Sequence, residues 1–489
     1  MKTQKLFIYL SFFLLTGLVV SCDDFLDIEP QLAVSDDAIY GDHEGVLNAL
    51  HGAYALVASS NLYAGTSVFQ SDLVANTGEL NWIGTFIQYR QWNWKAMDPN
   101  DGFVSGKWST SYKAIDLCNN ILASLDVVND AHKARVEGEA LFIRGILYFE
   151  LVRFYALPYV AGQSNDHPGV PLVLTPTAGI TEENYPSRAT VAAVYNQILA
   201  DLTGAKTLLS DFTSAGANGG RATASTSAAF LARVHMAMEN WSAAASEANT
   251  VINNLGGYAA LHATPRAAFN NDEYTSEDVF MINQNPTSNA GQANTGITTF
   301  FASLPGLGRG DVYASQGFFD MFDDNDLRIQ VTNDPGIGSI ADVPTMFYVG
   351  VGTDSGNRMS SKWGKHDANV PVIRLAEMIL TRAEANFRAG SAVGAAPLDD
   401  VNIIRDRANA DDVWVSLTLD DIREERFREL AFEGHAIHDL RRFRGSVVAP
   451  SGSPFVGQTI PWNDGRLVLP IPQREIDVNH NLVQNDAYI

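Results

Sequence analysis

The pattern of apolar and polar residues along the chain predicts a mainly helical protein. Apolar residues recur at steps of three and four in separated blocks, as the buried face of an amphipathic helix requires. Segments 36–59 and 105–125 show this period, and segment 134–157 is apolar on most faces, which predicts a central, buried helix. In segment 189–210 the apolar positions are Val191, Val194, Ile198, Leu202, Ala205 and Leu209.

Two later segments predict pairs of helices that fold back on each other. Segment 226–254 turns at Asn240, and segment 372–409 has a Gly-containing break between two helical patterns. Trp241 is followed by alanines that allow neighbouring helices to approach closely, a pattern that resembles the tetratricopeptide repeat. Stacked helix pairs bury a continuous core because each pair covers its neighbour.

Two long stretches, residues 60–104 and 257–371, show no period and are rich in Gly, Asn, Ser, Thr and Pro. Long irregular loops are uncommon in compact proteins, and those that occur are usually functional. These stretches hold Trp82, Trp92, Trp94 and Trp363, four of the eight tryptophans. We therefore expect a helical scaffold with large irregular excursions, and we expect the binding site in the excursions.

The N-terminus has the pattern of a signal peptide, predicted here over residues 1–21. Lys2 and Lys5 precede an apolar run at 6–20, which is shorter than the about 20 residues that a membrane-spanning helix needs. The run ends in a stretch that resembles a bacterial lipobox, with Ser21 before Cys22. That resemblance implies cleavage before Cys22 and lipidation of Cys22 by acyl chains, which together anchor a protein to a membrane. The alternative is an ordinary secreted protein.

Composition excludes some classes of partner and site. The net charge is -23, and only Arg441–Arg444 is dense in arginine, so no nucleic-acid partner is expected. Apolar residues at 46% and charged residues at 18% are typical of a folded protein. The two cysteines, Cys22 and Cys118, provide neither a disulfide framework nor a metal-ligand spacing, and Cys118 is expected to be a buried thiol.

Six segments, in a fixed order behind the lipobox, resemble the SusD/RagB family of outer-membrane glycan-binding lipoproteins of Bacteroidetes. The segments are CDDFLDIEPQ (22–31) and residues 139–160, 372–390, 398–409, 422–443 and 467–488. The resemblance implies one SusD-like domain over residues 22–489, mainly α. In this fold, four tetratricopeptide-like helix pairs pack against a loop-rich, irregular ligand-binding half.

The same resemblance implies a function. Members bind oligosaccharide or polysaccharide without cleaving it and pass it to a SusC-like TonB-dependent transporter. The protein is then expected in the outer membrane, anchored through lipid at Cys22 and facing the cell exterior; Asp23 and Asp24 resemble a surface-export signal. Two alternatives stay open: a tetratricopeptide-type scaffold whose ligand is a protein, and a SusD-like binder of a non-sugar nutrient such as peptide.

Candidate glycan contacts come from both irregular stretches. A sugar needs flat aromatic rings against its C–H face and polar side chains around its hydroxyl groups. Segment 71–95 offers both, with Trp82 as the expected stacking platform or, alternatively, as packing beneath the loop; core packing is expected for Trp92, Trp94 and Trp108. The expected contacts are Asp72, Asn76, Trp82, Tyr89, Arg90, Asn294, Arg309 and Tyr313.

No cofactor is expected. The carboxylates at 323–328 lack the spacing of an EF-hand. The resemblance places a structural pair of Asp326 and Arg328 there, and a structural calcium ion is the alternative.

No catalytic site is expected either. The sequence contains no nucleophile elbow, no HExxH motif and no phosphate-binding Gly-rich loop. Glu433, His435, His438 and Asp439 lie close together, but the resemblance makes this stretch a structural signature.

Overall fold

The computed structural model describes residues 39–177, 179, 181, 184–212, 220–333, 339–411 and 413–489. The predicted signal peptide and Cys22 lie outside these residues, so their predicted roles stay predictions. Within the described ranges, none of the helices combines the length and the apolar character needed to cross a bilayer.

Helices form most of the regular structure. They are α1 (His43–Val57), α2 (Thr66–Ala75), α3 (Ile87–Trp94), α4 (Gly102–Ala123), α5 (Asp130–Tyr155), α6 (Val191–Leu208), α7 (Ala224–Ala237), α8 (Trp241–Leu255), α9 (Ile297–Phe301), α10 (Gln316–Phe319), α11 (Leu375–Ala389), α12 (Pro397–Arg407), α13 (Leu419–Leu430), α14 (Ala436–Arg442) and α15 (Gln473–Val478).

The strands are short and form small separate sheets. They are β1 (Leu80–Trp82), β2 (Asp278–Ile282), β3 (Ser303–Leu304), β4 (Gly308–Arg309), β5 (Val312–Ala314), β6 (Val331–Thr332), β7 (Phe347–Val349), β8 (Arg358–Ser360), β9 (Val370–Arg374), β10 (Ser446–Val448) and β11 (Thr459–Pro461). Antiparallel pairs join β1 to β5, β2 to β9, β3 to β4 and β10 to β11; β7 pairs with β6 in parallel and with β8 in antiparallel.

The long helices form a continuous stack. Helices α1, α4, α5, α6, α7, α8, α11 and α12 each pack against the next in this order, and eight helices are what four pairs require. The predicted turns are confirmed: α8 begins after Asn240, and α11 ends at Gly390, which has a left-handed φ of 63°. The mainly α fold class is likewise confirmed.

Close approach of α5 and α6 helps to bury α5 from Val136 onward, whereas residues 130–134 are mostly exposed. A Cβ at Gly138 would lie 2.8 Å from Cγ of Leu209, and one at Gly145 would lie 3.0 Å from Cγ of Leu202. Both leucines are fully buried. The two glycines are seven residues apart on α5 and make room for two leucines that are also seven residues apart. Helix α5 is buried as predicted.

The prediction that residues 60–104 lack regular structure is wrong. This segment contains α2, β1 and α3. All ten residues of α2 are buried, including five polar ones, so its sequence carries no apolar-polar period. The stretch 257–371 is closer to the prediction, because short strands and two short helices interrupt otherwise irregular chain.

A buried network of ion pairs joins the helical stack to the irregular half. It contains five cations and five carboxylates: Arg328, Lys362, Arg374, Arg405 and Arg407 with Glu277, Asp326, Glu425, Glu429 and Glu433. At its centre, Glu429 accepts hydrogen bonds from Arg374 at 3.2 Å and from Arg407. Arg374 also contacts Glu277 and Glu433, each at 2.7 Å.

We expect Glu429→Gln to lower the free energy of unfolding by about 3–5 kcal/mol, because it removes a buried carboxylate that Arg374 and Arg407 share and leaves the network with an excess of positive charge. Chemical denaturation measures this loss. The control is Glu424→Gln, which removes a 42% exposed partner of Arg428 and should cost less than about 1 kcal/mol. Equal losses in the two variants would contradict a central role for Glu429.

The same residue predicts a loss of stability in acid. Burial by itself raises the pKa of Glu429, but Arg407, Arg374 and Arg328 outweigh it and lower the pKa from 4.5 to about 2. The stabilisation is therefore complete above pH 4.5 and is lost as the pH falls towards 2. In the same denaturation assay, Glu429→Gln should lose less stability than the wild type across this range.

Candidate ligand-binding surface

A two-stranded ladder positions the first candidate residue. Strands β1 and β5 pair with Asn81 opposite Tyr313 and Trp82 opposite Val312. Beyond the ladder, the backbone N–H groups of Ile83 and Gly84 both donate to the carbonyl oxygen of Asp311, at 3.0 and 3.1 Å. These bonds bring the segment after Trp82 against the segment that carries Arg309.

The Trp82 ring is half-buried between the irregular chain and the core. It stacks on Phe300 with centroids 6.3 Å apart and meets Tyr89 edge-on at 6.0 Å. A Cβ at residue 84 would lie 2.3 Å from the Trp82 ring, so Gly84 makes room for this orientation. One part of the ring therefore packs inward and another part remains accessible, and its role as a stacking platform stays a prediction.

Arg309 lies beside this aromatic group and is held by three kinds of contact. It forms an ion pair with Asp311 at 2.5 Å and donates from Nη2 to the carbonyl oxygen of Asn294 at 3.1 Å. Its guanidinium lies 4.7 Å from the centroid of the Phe86 ring. Burial raises the pKa of Asp311, and the charge of Arg309 opposes this shift.

We call this region the Trp82 surface and define it by Trp82, Ile83, Phe86, Ile87, Asn294 and Arg309. Ile83 is 40% exposed and Ile87 is 49% exposed, so both present apolar surface to solvent. Asn294 is exposed, and Phe86 is half-buried. The region thus presents apolar and aromatic groups beside a guanidinium and an amide.

Tyr89 supports the Trp82 surface from below rather than forming part of it. Its side chain is fully buried, and its hydroxyl donates to the carbonyl oxygen of Asn294 at 2.7 Å. Burial raises the pKa of this hydroxyl well above its usual range. A direct contact between Tyr89 and a glycan is therefore not compatible with its position.

Tyr313 lies on the other face of the β1–β5 ladder. Side chains alternate along a strand, so Asn81 and Tyr313 share the face opposite to Trp82 and Val312. Tyr313 packs against a separate small core that includes Tyr348 and Met359. The structure therefore does not bring Tyr313 together with Trp82.

Asp72 and Asn76 are also not surface groups, and their prediction as glycan contacts needs correction. Asn76 is 5% exposed and holds a turn, because its amide nitrogen donates to the Leu80 carbonyl and to Asn93 while its oxygen accepts from Gly78 and Leu80. Asp72 is 4% exposed on the buried helix α2.

Asp72 instead lines a cavity of about 390 Å³ between α2, α13 and α14. Half of the lining residues are apolar, among them Leu80, Phe427 and Leu440. Oδ2 of Asp72 has no hydrogen-bond partner among the described residues. Burial raises the pKa of Asp72 well above its usual range, and the nearby Glu79 raises it further.

Arg90 stacks on Trp94, with 4.8 Å between the guanidinium carbon and the ring centroid. Trp94 in turn packs against the turn at Gly452, away from Arg309. The predicted core position of Trp92 is confirmed, since its ring is fully buried and donates to Asp101 at 2.8 Å. Trp94 is half-buried and lies on a helix instead of an extended segment.

Other predictions about buried residues are confirmed. Trp108 is 3% exposed, and Cys118 is a buried free thiol. Asp326 and Arg328 form a buried ion pair at 2.7 Å, as the resemblance implied.

The chemically rich stretch around Glu433 is held in ion pairs. Glu433 pairs with Lys362 and Arg374, and Asp439 pairs with Arg442. Although burial opposes the shift, these cations lower the pKa of both carboxyls. Burial lowers the pKa of His435 to about 4. A carboxyl with a lowered pKa is a poor general acid, the group that glycoside hydrolysis needs.

Sequence reasoning missed Phe86 and Phe103. Both rings are half-buried and lie 5.9 Å apart, and Tyr89 lies within 5.5 Å of each. Phe86 was not recognisable because its partner, Arg309, lies more than two hundred residues away in the chain.

Comparison with known proteins agrees with this architecture. Residues 24–236 match a family model described as starch-binding and associating with the outer membrane, and residues 341–488 match the model of the SusD family. SusD-like protein P2 of Formosa agariphila is 26% identical, and the alignment covers 99% of both chains. The starch-binding protein SusD of Bacteroides thetaiotaomicron is 34% identical over 128 residues, which are 25% of this chain and 22% of that one.

A solved structure of a SusD superfamily protein from Bacteroides thetaiotaomicron superposes with a TM-score of 0.77 at 24% identity, covering 90% of this chain and 99% of that chain. The same family is indicated by the two family models, by the full-length relative and by the shared fold. This chain belongs to the SusD family.

Proposed function

We propose that the protein binds glycan at the Trp82 surface and delivers it, without catalysis, to a SusC-like TonB-dependent transporter in the outer membrane. The observation that carries the proposal is the half-buried Trp82 ring beside Phe86 and the Arg309–Asn294 pair. The description of the matched family as starch-binding and outer-membrane-associated supports it.

The chemistry of the Trp82 surface suits a sugar better than a purely apolar ligand. The accessible part of the indole and the half-buried Phe86 ring offer the flat apolar area that a C–H face needs. Arg309 and Asn294 lie next to these rings and carry donors and acceptors for hydroxyl groups. Because Tyr89 and Phe300 pack beneath Trp82, the indole is already oriented before a ligand arrives.

We expect Trp82→Ala to weaken glycan binding about tenfold, which corresponds to about 1.4 kcal/mol, because a stacking contact is lost. Calorimetric titration against a panel of oligosaccharides measures the effect. Trp241→Ala is the matched control, since Trp241 is a half-buried tryptophan on the helical stack. Unchanged affinity in Trp82→Ala would remove Trp82 from the site, and a wild type that binds no glycan would contradict the proposal.

The anchor and the partner form a second part of the proposal. We expect Cys22→Ala to move the protein from the membrane fraction to the soluble fraction of the native host, because acyl chains can no longer attach. Fractionation and immunoblotting measure the shift, with Cys118→Ala as the control.

Pull-down of the wild type in detergent should recover a TonB-dependent transporter, and protease added to intact cells should degrade the protein. Recovery of the protein alone would contradict the proposed partner. Complete protection from protease would contradict the exterior orientation.

The Asp72 cavity favours a second candidate function, the binding of a peptide nutrient. The apolar half of its lining and its volume of about 390 Å³ suit an apolar side chain, and the unpartnered Oδ2 of Asp72 suits an ammonium group. A glycan offers neither group.

For this alternative we expect saturable binding of the dipeptide leucyl-phenylalanine, weakened at least about tenfold by N-acetylation or by Asp72→Asn, because each change removes one half of a charged hydrogen bond. Calorimetric titration tests it. The control Glu424→Gln removes a lining carboxylate that is already paired with Arg428. Absence of dipeptide binding to the wild type would eliminate this candidate.

A further inference from the structure

A second, polar cavity lies within the helical stack, away from the residues of the Trp82 surface. Its volume is about 70 Å³, and side chains from α5, α7, α11, α13 and α14 line it. We call it the arginine cavity, because its lining includes Arg153, Arg233, Arg426, Arg441 and Arg442. None of these arginines belongs to the ion-pair network around Glu429.

The charges that line the arginine cavity do not balance. Five arginines line the cavity with three carboxylates, Glu239, Glu377 and Asp439. Outside the lining, Glu384 pairs with Arg426 and Arg442, and Glu150 pairs with Arg153, so Arg441 is the lining arginine without an ion pair among the described residues. Glu239 is moreover paired with Arg444, a residue outside the lining. An excess of positive charge in a largely buried cavity destabilises the folded protein unless an anion binds there.

Arg441 accounts for most of this surplus. Its side chain is 8% exposed, and no carboxylate within the described chain lies in ion-pair distance of it. Its two terminal nitrogens donate to the carbonyl oxygens of Arg153 and Leu467, the latter at 2.7 Å, but neither carbonyl carries a charge. Its Nε has no partner among the described groups.

Arg153 offers a second unused donor next to Arg441. One terminal nitrogen donates to Glu150 at 2.6 Å, yet Glu150 also pairs with Lys107 and so serves two cations. Nε of Arg153 is buried and lacks a hydrogen-bond partner in the described part of the protein. Neither Arg153 nor Arg441 therefore has a carboxylate to itself, and both side chains line the same cavity.

His438, which also lines the arginine cavity, does not change this balance of charges. Burial lowers the pKa of His438, and the positive charges of Arg153 and Arg441 lower it further, so the ring is neutral at pH 7. Its ring meets Phe154 edge-on at 5.4 Å. His438 therefore adds no positive charge and provides no counter-charge.

We propose that the arginine cavity binds one small oxyanion of the size of phosphate or sulfate, held by the positive charge of the Arg441 and Arg153 guanidinium groups. Guanidinium groups suit this ligand because they present several donors in one plane to the oxygens of an anion. The volume of about 70 Å³ admits such an ion, whereas pockets for larger organic ligands span roughly 300–1,000 Å³. This site is independent of the proposed glycan surface.

The test uses the full chain and inorganic phosphate. Thermal unfolding is followed while phosphate replaces chloride at constant ionic strength, and calorimetric titration of the wild type gives the stoichiometry. We expect a saturable rise in melting temperature and one site per chain, since a ligand that binds only the folded state stabilises it.

Arg441→Gln is expected to weaken phosphate binding at least about tenfold, because a charged hydrogen bond and the uncompensated charge are both removed. Arg474→Gln is the matched control: it removes a 69% exposed arginine whose partner, Glu475, does not line the cavity, and it should retain the response. If Arg441→Gln does not fold, Arg153→Gln replaces it with the same expectation. Equal responses of wild type, variant and control, or no saturable response in the wild type, would overturn the proposal in favour of a cavity filled by water alone.

Discussion

The structure depends most on the buried ion pairs around Glu429. Removing a charged side chain from water costs several kcal/mol, and only well-placed partners offset that cost. Arg374 illustrates the constraint, since it contacts Glu277, Glu429 and Glu433 at once while being 1% exposed. These partners come from a loop before β2, from α13 and from the segment after it. The helical stack and the irregular half must therefore assemble together, because neither half alone contains all the partners.

Aromatic contacts connect the ion-pair network around Glu429 to the Trp82 surface. Phe432 lies between Glu429 and Glu433 in the chain, and its ring lies 6.1 Å from that of Phe301. Phe301 meets Phe300 edge-on at 4.9 Å, and Phe300 stacks on Trp82. The ligand-facing ring is thus supported by rigid packing that extends to the ion-pair network. A binding surface in irregular chain needs such support, since only a side chain held by its neighbours is oriented in advance.

Three buried sites in this protein differ in whether their ionisable groups have partners of opposite charge. Around Glu429 the cations and carboxylates balance, and the pKa of Glu429 stays low. At Asp72 an acid lacks a cation, and burial raises its pKa. At Arg441 a cation lacks an acid, and burial lowers its pKa to about 10. A balanced network stabilises the fold by itself, whereas a buried charge without a partner indicates where a ligand can contribute the missing group.

The sequence by itself determined the helical scaffold, because helices with one buried and one solvated face leave a period of three to four, as in Val191, Val194 and Ile198. It also identified the family, through segments whose order can be recognised without coordinates. The tertiary structure alone decided which candidate residues meet. Helix α2 escaped prediction because burial on all sides erases the period. Trp82 and Tyr313 were separated by the alternation of side chains in a ladder, and that pairing joins strands more than two hundred residues apart. Local patterns record exposure to solvent, but contacts between distant segments arise only when the whole chain has folded.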